Sequence, residues 1–141
     1  MELVSGDAVV DWVCDNINHD PSTVAMGIGL LDKGNLIAGA VYEDYTGTNI
    51  FAHICVAKPV TREFWQAIFS YPFDDLRVNR ITGYLMETNT KAVKLNTHLG
   101  FKVEGRLKGA AHDGTDMLAM VMWKDDCKML KWRKKNATHA H

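Results

Sequence analysis

The sequence is short of most features that would assign it to a specialised class. It has three prolines in 141 residues and no low-complexity stretch, so a proline-rich or linker-like chain is excluded. Its three cysteines, Cys14, Cys55 and Cys127, are odd in number and far apart. Without a C-x-x-C pair they suggest neither a disulfide framework nor a zinc knuckle, and a reducing, cytoplasmic setting is expected. Neither sign of charge dominates: 16 Lys and Arg face 17 Asp and Glu, so no global basic field points to nucleic acid. The longest uncharged run, about residues 21–31, is too short and glycine-rich to span a bilayer. "MELVSGD" lacks the basic and apolar regions of a secretory signal.

What is present reads as one globular domain over residues 1–141, since 47% apolar residues can fill a core. "DAVVDWVCDNIN" sets Val9, Val10, Trp12, Val13 and Ile17 near one face at helical spacing, with Asp7 as an N-cap and the "NHDP" proline as a stop. "TVAMGIGLL", "NLIAGAVYEDY" and "NIFAHICVA" predict a three-strand antiparallel meander, joined by the turns "DKGN" and "TGT". On the third strand Ile50, Ala52, Ile54 and Val56 share one face, and Phe51, His53, Cys55 and Ala57 the other.

After Pro59 the period becomes helical. "TREFWQAIFSYPF" predicts a helix capped by Thr61 and stopped by Pro72. "NRITGYLM" is a strand, residues 90–99 a helix ended by Gly100, and "FKVEGRLKGA" and "DMLAMVMW" two strands around "HDGT". "KDDCKMLKWRKK" predicts a short charged helix. The order α-β-β-β-α-β-α-β-β-α implies an α/β or α+β domain with a mixed, mostly antiparallel sheet flanked by helices. Trp12, Phe64, Trp65, Phe69, Tyr71 and Phe73 are expected in the core by their spacing.

Asn89 opens the helix at 90–99, Ala92 follows three residues on, and Gly100, Phe101, Glu104 and Gly105 close it as G-F-x-x-E-G. This pattern resembles the GNAT family of acetyl-CoA-dependent N-acyltransferases, over about residues 23–123. Arg106, Lys108, Asp113, Gly114 and Asp116 follow as a basic hairpin and D-G-x-D, similar to the branch with ribosomal-protein N-terminal acetyltransferases. The whole chain also resembles small GNAT-like proteins of tailed phages and prophages.

The resemblance implies a fold, a co-substrate and a site. The third meander strand would part from the strand at 79–86. The pantetheine arm of acetyl-CoA would pair with the freed backbone at Ile54, Cys55 and Val56. The following helix would aim its N-terminus, with Arg62, Glu63, Phe64 and Trp65, at the pyrophosphate. Asn89, Ala92 and Asn96 would line the cofactor side. The family's phosphate loop reads Q/R-x-x-G-x-G/A, and here Trp65 stands at the first glycine of "REFWQA". Its indole could fill the cradle, swing onto the adenine, or pack inward. The family's acidic tyrosine, seven residues after the motif asparagine, is replaced by Asn96, which can hydrogen-bond a thiolate but not protonate it.

A primary amine attacking the thioester directly needs a base. His53 and Glu87 are the candidates. The plain alternatives are a strand histidine satisfied by a neighbour and a solvated strand-end carboxylate. Glu43 and Asp44 could form an acidic rim at the amine entrance, or simply a hairpin tip. Cys55 is expected to be a structural thiol. No metal site is expected: His139 and His141 form an H-x-H in what reads as a frayed tail, and "KWRKK" reads as solvated.

Family members usually open with a strand and two helices, the second lining the acceptor groove; here about 22 residues with one helix precede the first clear strand, so the resemblance implies a trimmed acceptor side. A small substrate, a flat docking surface, or a second subunit completing the groove follows from that, and exposed aromatics around Trp65 to Phe73 would suit a homodimer. The expectation is thus an N-acetyltransferase using acetyl-CoA. Against it stands a catalytically degenerate GNAT-fold component, virion-associated or used in phage assembly, with Trp65, Asn96 and the trimmed N-terminal region as its support.

Overall fold

The computed structural model describes residues 1–132. One mixed sheet of seven strands runs in the order β1-β2-β3-β4-β5-β7-β6. Its strands are β1 (Glu2–Ser5), β2 (Met26–Asp32), β3 (Asn35–Glu43), β4 (Asn49–Val56), β5 (Arg80–Met86), β6 (Lys102–Leu107) and β7 (Met117–Trp123). All neighbours are antiparallel except β4 and β5. Helix α1 (Asp7–Ile17) covers one face, and α2 (Arg62–Ser70) and α3 (Thr90–Leu99) lie on the other.

The meander forms as its turns dictate. Lys33 and Gly34 both take positive φ between β2 and β3, the backbone a tight right-twisted hairpin requires. β1 was not legible: four residues with two apolar ones carry too little alternation, yet they pair fully with Ser5–Glu2 against Ile28–Leu31.

Helix α1 lies close to the sheet because β2 and β3 present glycines beneath it. A Cβ at Gly39 would come within 2.7 Å of Val13 Cγ2 and 3.0 Å of Val9 Cγ1. Val9, Val10, Val13 and Cys14 are buried there against Val41, whereas Trp12 is half-buried and Ile17 is 38% exposed. Two expectations for this helix need correction. Gly6, not Asp7, is the N-cap, and Asp7 instead places its charge in the first turn, where the helix dipole favours it. Asn18 in the left-handed conformation ends the helix before the proline can act.

The larger core lies on the other face. Phe64, Phe69 and Phe73 are each at most 1% exposed, and burying such a ring stabilises by about 2–3 kcal/mol. Thr61 caps α2 by accepting the Phe64 N–H. Pro72 does not stop the helical path. It sits at the start of a π-helical turn, Tyr71–Asp75, where a missing N–H costs nothing. Tyr42 anchors this end by donating its hydroxyl hydrogen to the Ile68 carbonyl. Trp65 and Tyr71 are half-buried and Phe69 and Phe73 buried, so no exposed aromatic patch exists at 65–73.

The G-F-x-x-E-G residues are scaffold. Gly100 has φ +120°, and a Cβ there would collide with the Asp126 carbonyl. Phe101 then enters the core beside Phe69. Glu104 sits at a bulge in β6 and pairs with Arg80 at 2.8 Å. The tail gives a 3-10 turn, Lys124–Asp126, and a helical turn at 128–132. The rest of "KWRKK" and the H-x-H lie outside the described residues. No helix among the described residues is long and apolar enough to cross a membrane.

Gly39→Ala is expected to destabilise the protein by about 1–3 kcal/mol, because Val9 and Val13 must move. A urea midpoint equal to wild type would show that α1 is not seated on the glycines.

Candidate active site

β4 and β5 pair in parallel at only three positions, Asn49↔Arg80, Ile50↔Ile81 and Phe51↔Thr82. Beyond them β4 keeps β3 and β5 keeps β7, and the two strands part. Among the described residues, the β4 edge from Ala52 to Val56 that faces β5 has no strand partner. Asn49 secures the junction: its Oδ1 accepts from Arg80 Nε at 3.2 Å and from the Thr82 hydroxyl at 2.6 Å.

A cleft of about 560 Å³ fills the gap. Residues of both sheet faces wall it. On the α1 side are Asn16, Asn18, His19, His53 and Tyr84. On the α3 side are Ile54, Leu85, Asn89, Ala92, Leu95 and Asn96. The β6–β7 connection adds Ala110, Ala111 and His112. Among these described lining residues none is Asp, Glu, Lys or Arg.

The structure places the sequence candidates as follows. His53 lies in the cleft on the α1 face of β4, opposite Val41 of β3. Ile54 points to the other face, and Cys55 turns back to α1, where burial pushes its thiol pKa up. Val56 ends the free edge. Asn89, Ala92 and Asn96 fall on one face of α3 and meet in the cleft. Asn89 is also the N-cap, its side chain accepting the Ala92 N–H at 3.2 Å.

The four candidates on α2 lie apart from this group. Arg62 and Glu63 are exposed in the first turn of α2, whose two leading N–H groups have no acceptor within the helix. The Arg62 guanidinium lies 4.4 Å from the centroid of the Trp132 ring. Phe64 cannot contribute a side chain to a ligand, because the ring is wholly buried and its N–H is taken by Thr61. Trp65 packs inward, half-buried against the core and edge-on to Phe64 at 5.3 Å. Of the three positions open to the indole, this is the one adopted.

Glu87 is not among the residues that line the cleft. Its carboxylate is engaged by Arg106, which also reaches Asp116 at 3.2 Å. Asp116 accepts the Gly109 N–H at 2.9 Å as well, and both contacts hold its carboxyl below the usual range. The basic hairpin residue and D-G-x-D therefore lock the β6–β7 connection.

Two residues acquire a weight that sequence reasoning did not give them. Glu43 is no solvated rim: it is 6% exposed, at the end of β3. His19 Nε2 lies 2.7 Å from Glu43 Oε2, and His53 Nε2 lies 2.9 Å from the same oxygen. Oε1 accepts the Ser22 N–H. Burial pushes the Glu43 carboxyl pKa up, but the Ser22 amide and both imidazoles outweigh it and hold it below its ordinary value. The ionised carboxylate can only accept, so each ring donates to it from Nε2–H, and a ring in its neutral form then has its lone pair on Nδ1. Burial, and next the neighbouring His19, lowers the His53 pKa against the opposing pull of Glu43. The two rings lie 4.2 Å apart. His19 lay hidden in a segment that read as a helix stop; only the final Glu of a buried strand hinted at its partner.

The chain matches the family described as acetyltransferase (GNAT) domain over residues 30–122. Among curated proteins none matches it significantly in sequence. Among solved structures it is similar to a mutant form of spermidine N-acetyltransferase SpeG from Vibrio cholerae, with TM-score 0.63 and 22% identity, over 81% of this chain and 73% of that one. It is also similar to the N-acetyltransferase PseH of Campylobacter jejuni, solved with acetyl coenzyme A, with TM-score 0.57 and 15% identity, over 82% and 77% of the two chains. At these identities the two structures attest the fold.

Glu43→Ala is expected to cost about 1–3 kcal/mol, since the Ser22 amide loses its acceptor and both histidines lose theirs. Hydrogen exchange reads it locally: the Ser22 amide should lose protection, and protection retained there would deny Glu43 its anchoring role.

Proposed function

Because the chain belongs to the GNAT acetyltransferase family, we propose that it moves the acetyl group of acetyl-CoA to a primary amine by direct attack, with the amine entering on the His19–His53 side of the cleft. The observation that carries this reading is the unpaired β4 edge inside a cleft walled from both sheet faces.

Acetyl-CoA brings an acyl group already activated as a thioester. The free edge at Ile54, Cys55 and Val56 offers backbone N–H and C=O groups to the pantetheine amides, as a strand would. The first turn of α2 offers the Arg62 and Glu63 N–H groups, the helix dipole and the Arg62 guanidinium to the pyrophosphate. Ala92 and Asn96 wall the same half, and the small Ala92 side chain leaves room there.

On the α1 side, His53 is suited to take the proton an ammonium must lose. Its lone pair is at Nδ1, and Glu43 fixes the ring through the Nε2–H. The pairing of Glu87 with Arg106 speaks for His53 as the base. Spermidine is named as the substrate of one structural neighbour. Here the cleft wall is Asn16, Ile17, Asn18, Tyr84, Met86 and His112 on the acceptor side, without a carboxylate. That wall suits an amine on a compact, partly apolar body better than a polycation. The alternative of a non-catalytic phage component draws on Trp65, Asn96 and the trimmed N-terminal region, and the packing of Trp65 against Phe64 speaks against the first of these.

Calorimetry with acetyl-CoA tests the donor half. Micromolar binding, about −8 kcal/mol, is expected for wild type and for Trp65→Gly alike. Binding by the glycine variant alone would make Trp65 a plug and favour the non-catalytic reading. For the acceptor half, His53→Ala should lower kcat by roughly 10²- to 10⁴-fold with acetyl-CoA affinity retained. An unchanged kcat would remove His53 from the reaction.

A further inference from the structure

We propose that His19, Glu43 and His53 form a binding site for a divalent transition-metal ion of the zinc, cobalt or nickel kind, at the acceptor mouth of the cleft. The three residues come from the segment after α1, the end of β3 and the middle of β4. Nε2 of each histidine faces the same carboxylate oxygen, at 2.7 and 2.9 Å, and the three ligand atoms lie within 4.8 Å of one another. Tetrahedral zinc with bonds of about 2.0–2.1 Å sets its ligands roughly 3.3 Å apart. The two short contacts would open by roughly half an ångström to admit the ion.

The donor chemistry selects the class of ion. Two imidazoles and one carboxylate suit zinc, cobalt or nickel; calcium and magnesium want an oxygen shell that this group lacks. The outer shell is in place, because the Ser22 N–H holds the other Glu43 oxygen and fixes the carboxylate. Three protein ligands leave a fourth position, and both histidines border the cleft, so that position opens toward it.

Coordination through Nε2 requires each neutral ring to move its proton from Nε2 to Nδ1. No net proton is released, and Glu43 remains ionised. The lone pair of His53 is then spent on the metal, and its Nδ1 bears hydrogen. An occupied site cannot also act as base, so the ion would inhibit transfer; this consequence alone rests on the reading of His53 given above.

The test is titration of cobalt and zinc into the full chain carrying His139→Ala and His141→Ala, which removes the terminal H-x-H. Binding of one ion per chain at micromolar or tighter affinity is expected, with cobalt giving the visible absorption of a four-coordinate N/O site. His19→Gln and Glu43→Gln should each weaken it at least tenfold. His19 is 34% exposed, so its replacement spares the core, and unaltered acetyl-CoA binding in that variant checks that the fold is intact. Absent binding, or binding that survives His19→Gln, overturns the proposal. Zinc at a concentration that saturates the site should also lower the transfer rate at least tenfold, with recovery on chelation. Metal bound without inhibition would count against His53 as base while leaving the site standing. Transfer by metal-free protein together with no metal binding would do the reverse.

Discussion

Everything functional in this molecule depends on where β4 and β5 stop pairing. Three parallel register positions hold them together, with Asn49, Arg80 and Thr82 tying the junction by side chains as well. Past that point each strand keeps its antiparallel outer partner, and sheet twist carries the two pairs apart. A parted sheet is costly unless something answers its backbone groups. Here the opening is lined by small and apolar residues from α3 and by polar ones from the end of α1. The fold thus holds an unsatisfied strand edge in reserve, which is what a ligand able to mimic a strand requires.

Much of this was legible in the sequence because local chemistry agreed with the global fold. The Lys33–Gly34 turn, the Thr61 and Asn89 caps and the Gly100 stop each fix an element boundary with one or two residues. The illegible parts have physical reasons. β1 is too short to show a period, and its pairing is supplied by β2. Pro72 breaks a helix in isolation, but a π turn places it where no N–H is needed. Asn18 looked like one polar residue among several, and only its left-handed backbone makes it the helix stop.

The site divided along the same line. Asn89, Ala92 and Asn96 came from the family resemblance, and the cap and first turns of α3 bring all three to the cleft. Glu43 and His53, 10 residues apart, meet across the β3–β4 hairpin, whereas His19, 24 residues before Glu43, joins them only when α1 is seated on the sheet. A carboxylate at a predicted hairpin tip reads as solvated, because sequence carries no signal that Ser22 and two imidazoles will fold over it. Glu87, placed beside the cleft by its strand-end position, is held instead by Arg106, which has a second tie to Asp116.

The cleft is walled from opposite faces of the sheet, and this has a kinetic meaning. In a transferase built this way, the acyl donor lies along α3 and the acceptor meets it from the side of α1, with the strands as a divider between their routes. Neither molecule has to pass through the space the other fills. On the proposed reading, either binary complex would be open to the other molecule from the opposite face of the sheet.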